Sequence, residues 1–243
     1  MLENFRQRSE ELEHLDLGDY TPEEYEGCMV ELRRVNRWLG DARALTRSVL
    51  PEIESDVSAK TKTDGAREFS LLDVGAGSGE LLREVARWAR NRKMKARLVG
   101  LELNGRSASG IVEESRGFDE IVAVRGDAMR LPFDARSFDY VMCSLFAHHF
   151  RDAGVVSVLR EMSRVARRRV YVIDLHRHPV AYYFYTTVGR LFLHNRLIRE
   201  DGALSILRGF VPRELRRLAE GAGLSSAKVE RRFPFRLILS GSK

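Results

Sequence analysis

The chain has 243 residues, of which 44% are apolar and 31% charged, and this composition excludes a disordered or membrane-spanning protein. Its net charge is +6, but the arginines alternate with glutamates, as at 160–161 and 213–214, so we expect no nucleic-acid partner. The two cysteines lie far apart without metal-ligand spacing, and charges interrupt the N-terminus, so we expect a cytoplasmic protein without disulfides or a signal peptide.

The first 53 residues predict a helical region. The tetrapeptide TPEE at 21–24 is typical of a helix start, with a Thr N-cap, a Pro in the first turn and a Glu three residues after the cap. This helix is expected to stop at Gly40, and Asp41 to cap a short second helix that ends before Pro51. Residues 54–68 are polar without periodicity, which predicts a loop into the main domain.

The stretch LLDVGAGSGELL at 71–82 predicts a buried strand, a glycine-rich turn and a helix. Backbone at alternate glycines can come close to a ligand, and these glycines are Gly75, Gly77 and Gly79. The dinucleotide fingerprint requires its third glycine one residue later, where Glu80 stands, and no Gly-Lys-Ser/Thr follows. Because Asp73 and Glu80 are acidic and no cation lies between them, the turn favours a positively charged ligand.

Strands and helices alternate after this turn, which predicts an α/β fold with a doubly wound, mostly parallel seven-stranded sheet. A helical insertion at 176–210 is expected after the fifth strand. We therefore divide the chain into an N-terminal helical cover (1–53) and a main domain (54–243). The further predicted strands are 96–101, 121–124, 140–145, 170–173, 228–232 and 236–239, and the helices are 107–114, 152–166 and 212–222.

Polar residues follow four of the predicted strands, at the edge where ligands of doubly wound sheets bind. Asp73 follows the first. Glu102 ends the second, where a carboxylate can hold both hydroxyls of a ribose. Asp127 follows the third, where it can accept a hydrogen bond from an adenine amino group, and Ser144 ends the fourth.

Four segments together, LLDVGAGSGELL, VGLELN, GDAMRLPF and FDYVMCSLFAHHF, resemble the motifs of class I S-adenosylmethionine-dependent methyltransferases. The resemblance covers about 69–174, with a tail to Lys243. It implies the Rossmann-like fold of that class and S-adenosyl-L-methionine as cofactor. The implied cofactor-binding residues are Asp73, Gly75, Ala76, Gly77, Gly79, Glu102, Leu103, Asp127, Ala128 and Ser144. Residues Asn36, Arg37 and Trp38 close the helix that covers the cofactor in many enzymes of this class.

The acceptor is expected to be a small molecule. Families that methylate nucleobase or glutamine amide nitrogens carry an Asn/Asp-Pro-Pro-Tyr/Phe motif after the fourth strand, and this chain does not. The resemblance implies an enzyme of secondary metabolism, a monomer or homodimer, that methylates a hydroxyl of an aromatic, lipophilic or polyketide-like molecule. The alternatives are carbon methylation of a quinone-like ring, an RNA or protein methyltransferase, and a non-catalytic cofactor-binding subunit.

The predicted catalytic residues are His148, His149 and Asp174, and no metal is expected. The first two follow the fourth strand and Asp174 ends the fifth, and these neighbouring strands lie about 5 Å apart. An Asp beside a His orients the imidazole and stabilises its protonated form, which favours proton removal from a hydroxyl. In the alternative interpretation, the histidines only orient the start of a helix. His176 and His178 are further candidates.

The insertion is expected to shape the acceptor pocket. Its aromatic residues form either a wall for a flat acceptor or the face of a core helix. They are Tyr182, Tyr183, Phe184, Tyr185 and Phe192. Polar residues follow that either touch a substrate or cap helices: Asn195, Arg196, Asp201, Ser205 and Arg208. The apolar run at 179–193 contains Arg190 and is too short to span a bilayer, so no membrane span is expected.

Overall fold

The computed structural model describes residues 5–64 and 67–242, without the side chains of residues 29, 32–39 and 61–64. Asn36, Arg37 and Trp38 lie in the second helix, but their side chains fall outside the described residues, so their predicted contact with a cofactor remains a prediction. No helix in the described part of the chain is both long and apolar enough to cross a membrane.

Seven strands form one sheet in the spatial order β3-β2-β1-β4-β5-β7-β6. All neighbours pair in parallel except β7, which is antiparallel to both β5 and β6. This confirms the predicted doubly wound, mostly parallel sheet. The strands are β1 (Glu68–Val74), β2 (Lys95–Glu102), β3 (Ile121–Arg125), β4 (Phe138–Ser144), β5 (Ala166–Leu175), β6 (Ser225–Arg232) and β7 (Arg236–Ser242).

The helices follow the predicted alternation, with two helices in the insertion. They are α1 (His14–Leu17), α2 (Pro22–Leu39), α3 (Asp41–Ala44), α4 (Leu50–Asp64), α5 (Glu80–Asn91), α6 (Gly105–Glu114), α7 (Asp152–Val165), α8 (Pro179–Thr187), α9 (Arg196–Arg208) and α10 (Pro212–Gly221). A π-helical turn (Leu45–Val49) joins α3 to α4, and short 3-10 turns lie at Ala147–His149 and Gly189–Leu191.

Helices cover both faces of the sheet, which explains why its central strands are almost continuously apolar. Successive residues of a strand point to opposite faces, so Leu71 packs into one core layer and Leu72 into the other. Side chains of α4, α5 and α6 fill the first layer, and those of α7 and α10 fill the second. Both layers leave the carboxyl ends of β1 to β5 at one edge.

The loop predicted for 54–68 is wrong, because helix α4 runs through most of it. Pro51 closely follows the π-helical turn Leu45–Val49, and the helical backbone runs on through it, so the predicted end of the second helix before Pro51 is also wrong. Three fully or nearly buried residues, Leu50, Ile53 and Val57, form the narrow apolar stripe that anchors this polar helix. The division at residue 53 lies inside α4 and remains a prediction.

The N-terminal helices and the insertion pack together over the ends of β4 and β5. Cys28 of α2 belongs to a small core with Leu193, Leu197 and Ile198 of the insertion. The polar residues of α9 also hold this region. Asp201, for example, accepts hydrogen bonds from the backbone N–H groups of His14 and Leu15 at 2.8 and 3.1 Å.

Candidate functional site

The glycine turn after β1 has the predicted form. Gly75, Gly77 and Gly79 have φ values of 72°, 57° and 75°, which favour glycine. The N–H groups of Gly75 and Ala76 donate to the carbonyl of Leu101 at 2.9 and 3.3 Å, which fastens the turn to β2. A Cβ on Gly77 would meet no atom within 4 Å, so open space adjoins the backbone there.

Two carboxylates lie at this turn. Asp73 is only 2% exposed, and its Oδ1 has no hydrogen-bond partner. Burial, together with the charge of Glu102, raises the pKa of Asp73 to about 8. Glu102 Oε1 accepts a hydrogen bond from Gly77 N–H at 2.5 Å, and burial also raises the pKa of Glu102. A buried carboxylate without a partner is costly, and a cationic ligand offsets that cost.

The ends of β2 and β3 bring together the residues predicted to hold an adenosine. Leu103 is 67% exposed and Ala128 is buried. Asp127 is exposed, and its Oδ1 accepts a hydrogen bond from Met129 N–H at 2.8 Å. The register of β2 and β3 places Glu102 opposite Arg125, so Asp127 follows at the adjoining strand end. This edge therefore offers an apolar surface beside two carboxylates.

The end of β4 borders the same turn. The Oγ of Ser144 is buried and has no hydrogen-bond partner. Phe146, which was not predicted to lie at the site, lies directly against Gly75, where an added Cβ would come within 2.3 Å of its ring. Gly75 is therefore required both by its positive φ and by this close approach.

His148 and Asp174 form a buried pair at the ends of β4 and β5. The Nδ1 of His148 lies 2.6 Å from Asp174 Oδ1, and its backbone N–H donates to Oδ2 at 3.2 Å. Burial raises the pKa of Asp174, but the charge and hydrogen bond of His148 outweigh it, so the pKa lies below its usual value. The carboxylate thus fixes the imidazole and leaves Nε2 as its other ring nitrogen.

His149 has a different environment from its neighbour. Its ring lies against that of His148, with centroids 4.4 Å apart. The Nδ1 of His149 lies 3.5 Å from Asp16 Oδ1 and 4.0 Å from Glu13 Oε2 and makes no hydrogen bond. Burial lowers the pKa of His149, but these two carboxylates outweigh it and raise the pKa overall. The predicted trio therefore divides into a His148–Asp174 pair and a separate His149.

The segment at residues 5–17, here called the N-terminal segment, was not predicted to lie at the site. Arg8 donates to the carbonyl of His148 at 3.2 Å. Arg208 of α9 donates to the same carbonyl at 3.2 Å and to Asp16 Oδ2 at 2.8 Å. Nothing in the composition of this polar, aperiodic stretch indicates these contacts, because their partners are remote in sequence.

The aromatic residues of the insertion do not form one wall. Tyr185 is partly buried, and its hydroxyl donates to the carbonyl of Ile198. Phe184 and Phe192 are 57% and 67% exposed. The remaining two rings lie around Phe5 of the N-terminal segment, with centroid distances of 5.6 Å for Tyr182 and 6.2 Å for Tyr183.

The polar residues of the insertion mainly hold other helices. Asn195 caps α9 by accepting from Leu197 N–H at 2.9 Å, and its side-chain amide donates to the carbonyl of Glu24. Arg196 pairs with the Glu24 carboxylate at 3.1 Å. His178 caps α8 by accepting from Val180 N–H at 3.2 Å. Burial, followed by neighbouring positive charges, lowers the pKa of His176 to about 4. These contacts favour structural roles for Asn195, Arg196 and His178.

The strand order, the glycine turn after β1 and the acidic residues after β1, β2 and β3 define a class I methyltransferase fold, whose cofactor is S-adenosyl-L-methionine. Residues 71–169 match the family described as "Methyltransferase domain", so this part of the chain is a methyltransferase domain. The predicted resemblance is thereby confirmed.

Curated methyltransferases match parts of the chain. The uncharacterized methyltransferase YcgJ of Bacillus subtilis is 29% identical over 144 residues, 56% of this chain and 53% of that protein. A demethylmenaquinone methyltransferase of Roseiflexus castenholzii is 33% identical over 96 residues, 40% of this chain and 37% of that protein. The chain thus spans about half or less of the length of these relatives.

Solved structures share the fold at low sequence identity. A SAM-dependent methyltransferase from Aquifex aeolicus is 14% identical with a TM-score of 0.56, covering 86% of this chain and 96% of that one. A putative O-methyltransferase from Nostoc punctiforme is 18% identical with a TM-score of 0.56, covering 85% of this chain and 60% of that one. These similarities confirm the predicted Rossmann-like architecture.

Proposed function

We propose that this chain transfers a methyl group from S-adenosyl-L-methionine to a hydroxyl of a small molecule. The observation that carries the proposal is Asp73, a buried carboxylate with an unpartnered oxygen beside a glycine turn that opens to free space. A phosphate ligand is disfavoured there, because it would face two carboxyl groups, Asp73 and Glu102, and burial together with their mutual repulsion already raises the pKa of Asp73. A ligand with an ammonium and a sulfonium group has the complementary charge.

The residues present fit this cofactor. Asp73 offsets its positive charge, and Gly77 leaves room for its close approach. In this proposal Glu102 accepts hydrogen bonds from the ribose hydroxyls, and Asp127 and Ala128 flank the adenine. When bound, S-adenosyl-L-methionine supplies an electrophilic methyl group carried on a sulfonium.

The acceptor proton is removed by His148 in this proposal. Asp174 holds the Nδ1 side of the ring and stabilises its protonated form, so Nε2 is the nitrogen that takes the proton. Because His148 is only 3% exposed beneath the N-terminal segment, an acceptor reaches it only when that segment moves. His149 is assigned no proton transfer here, since its Nδ1 faces two carboxylates.

A second candidate is methylation of a quinone-like ring carbon. A stretch of 96 residues in this chain is 33% identical to a demethylmenaquinone methyltransferase, and this similarity favours the second candidate. Both candidates use the same cofactor site and differ in the acceptor atom. Product analysis separates them.

The test is incubation of the protein with methyl-labelled cofactor and a panel of phenols and demethylated quinones. We expect label in a phenol ether, and a turnover lowered about 10²- to 10⁴-fold in His148→Gln, with S-adenosylhomocysteine affinity nearly unchanged. Asp119→Asn, on an exposed loop, is the control and should behave as wild type. Absence of S-adenosylhomocysteine binding by calorimetry overturns the cofactor assignment, and label on a ring carbon replaces the hydroxyl proposal.

A further inference from the structure

Three potential metal ligands converge beside the proposed catalytic pair. Glu13, His148 and His149 each offer one ligand atom, and these atoms lie within 4.8 Å of one another. In the described part of the chain, no other group of three or more His, Cys, Asp or Glu residues meets this spacing. We propose that Glu13, His148 and His149 bind a divalent metal ion of the zinc class.

In two of the three side chains, one polar atom makes a hydrogen bond within the protein and the other is available to bind a metal. Asp174 binds the Nδ1 of His148 at 2.6 Å, so Nε2 is available. The Ser205 hydroxyl donates to Glu13 Oε1 at 2.7 Å, so Oε2 is available. Such supporting hydrogen bonds orient metal ligands, and a carboxylate behind a metal-binding histidine is the commonest form.

The third side chain has a buried nitrogen without a hydrogen bond. His149 Nδ1 lies 3.5 Å from Asp16 Oδ1 and 4.0 Å from Glu13 Oε2 and makes no hydrogen bond with either. Zinc binds its ligands at about 2.0–2.2 Å, which puts tetrahedral ligand atoms about 3.4 Å apart. The distances between the ligand atoms therefore need to shorten by roughly 1 Å for the three side chains to bind zinc together.

The charges around the group favour a cation. The carboxylates of Glu13, Asp16 and Asp174 face the histidines, against the guanidiniums of Arg8 and Arg208. Both guanidiniums are already bound: each donates to the carbonyl of His148, and each also pairs with an aspartate. Three carboxylates thus outnumber the two guanidiniums around the histidines.

The ligand types select the metal. Two imidazoles and one carboxylate suit zinc and other late divalent metals, whereas magnesium and calcium prefer oxygen ligands alone. Three protein ligands leave a fourth position for water, as in zinc sites that are not closed.

Metal binding has a consequence for the proposed reaction. Only this consequence, and not the metal site itself, rests on the proposed function. The metal joins Glu13 of the N-terminal segment to His148 and occupies the ring nitrogen that would remove a proton. The zinc-loaded protein is therefore expected to methylate a hydroxyl more slowly than the metal-free protein.

The experiment titrates zinc into tag-free, chelator-dialysed protein by calorimetry and measures the metal retained after gel filtration. We expect one zinc per chain in wild type. Glu13→Gln and His149→Ala should each weaken zinc binding at least 10-fold, and Asp174→Asn about 10- to 100-fold. The matched control is Glu10→Gln, which removes the same charge from an exposed side chain of the same segment and should retain wild-type affinity.

Two results overturn the proposal: wild type that retains no zinc, or Glu13→Gln that binds zinc as tightly as wild type. Circular dichroism and the melting temperature of each variant establish that it is folded, and the partly exposed His149 provides a variant that spares the buried pair. S-adenosylhomocysteine affinity is measured on the same samples. A protein that binds zinc but not S-adenosylhomocysteine contradicts the proposed function and leaves the metal site standing. A protein that binds S-adenosylhomocysteine but not zinc contradicts the metal site and leaves the proposed function standing.

Discussion

At the scale of single residues, Asp73 links stability to ligand binding. Its carboxyl group is fully enclosed at the end of β1 and has an oxygen without a hydrogen bond, so ionisation destabilises the ligand-free fold. The neighbouring Glu102 adds repulsion. The same features favour a cationic ligand, so the carboxyl group that lowers the stability of the free protein raises its affinity for that ligand.

Asp73→Asn should therefore stabilise the ligand-free protein and weaken S-adenosylhomocysteine binding. The pKa of Asp73 is about 8 in the folded protein, against 3.8 for an aspartate in the unfolded chain. Between these two pH values the folded protein therefore binds one more proton than the unfolded chain. Wild-type stability then falls as pH rises through this window, by about 2–4 kcal/mol between pH 5 and pH 8. Urea denaturation at both pH values should show a larger loss in wild type than in the variant, which keeps the raised pKa values of Glu102 and His149.

Affinity for S-adenosylhomocysteine should fall about 10- to 100-fold in the same variant, as for loss of a charged hydrogen-bond partner. Ser70→Ala is the control, because Ser70 lies on the same strand but is already paired with Asp139. Equal pH slopes for wild type and Asp73→Asn would show that the carboxyl group titrates normally.

At the scale of elements, the N-terminal segment depends on contacts with α9. Helix α1 has only four residues, too few for a stable isolated helix. Its first N–H groups are instead satisfied by the buried Asp201 carboxylate. The segment that covers His148 is thus held mainly by polar contacts and has no buried apolar side chain of its own, which makes it a region that can open without global unfolding.

Asp201→Ala should release this segment while leaving the sheet intact. Two backbone donors lose their acceptor, at a cost of about 1–3 kcal/mol. Hydrogen exchange followed by mass spectrometry should show faster exchange in peptides covering residues 9–17 and unchanged exchange in β4. Glu200→Ala, an exposed neighbour that pairs with His14, should have little effect. Unchanged protection at 9–17 would mean that other contacts hold the segment.

The elements also show what the sequence can predict. β1 and its turn were predictable because buried parallel strands are continuously apolar and positive φ favours glycine. Helix α4 was missed because its apolar stripe has one residue per turn. Glu13 and Asp16 were missed at the site because their partners in α9 lie about 190 residues away, a separation that no local pattern records.

At the scale of the whole molecule, an ion pair joins the N-terminal helices to the last strand. Asp41 of α3 lies 2.5 Å from Arg236 of β7, and both side chains are buried. The neighbouring Gly40 has a φ of 92°, and a Cβ there would lie 3.1 Å from Pro234, so backbone packing is also close. These contacts tie the first 53 residues to the sheet.

Asp41→Ala should consequently lower the free energy of unfolding of the whole protein by about 3–5 kcal/mol, since it leaves a buried guanidinium without its partner. Urea denaturation followed by tryptophan fluorescence and by circular dichroism should give one shared transition at lower urea. Glu230→Ala, which breaks exposed pairs with Lys228 and Arg232, is the control and should cost at most about 1 kcal/mol. Two separate transitions, with only the first moved by Asp41→Ala, would show instead that the N-terminal helices fold independently of the methyltransferase domain.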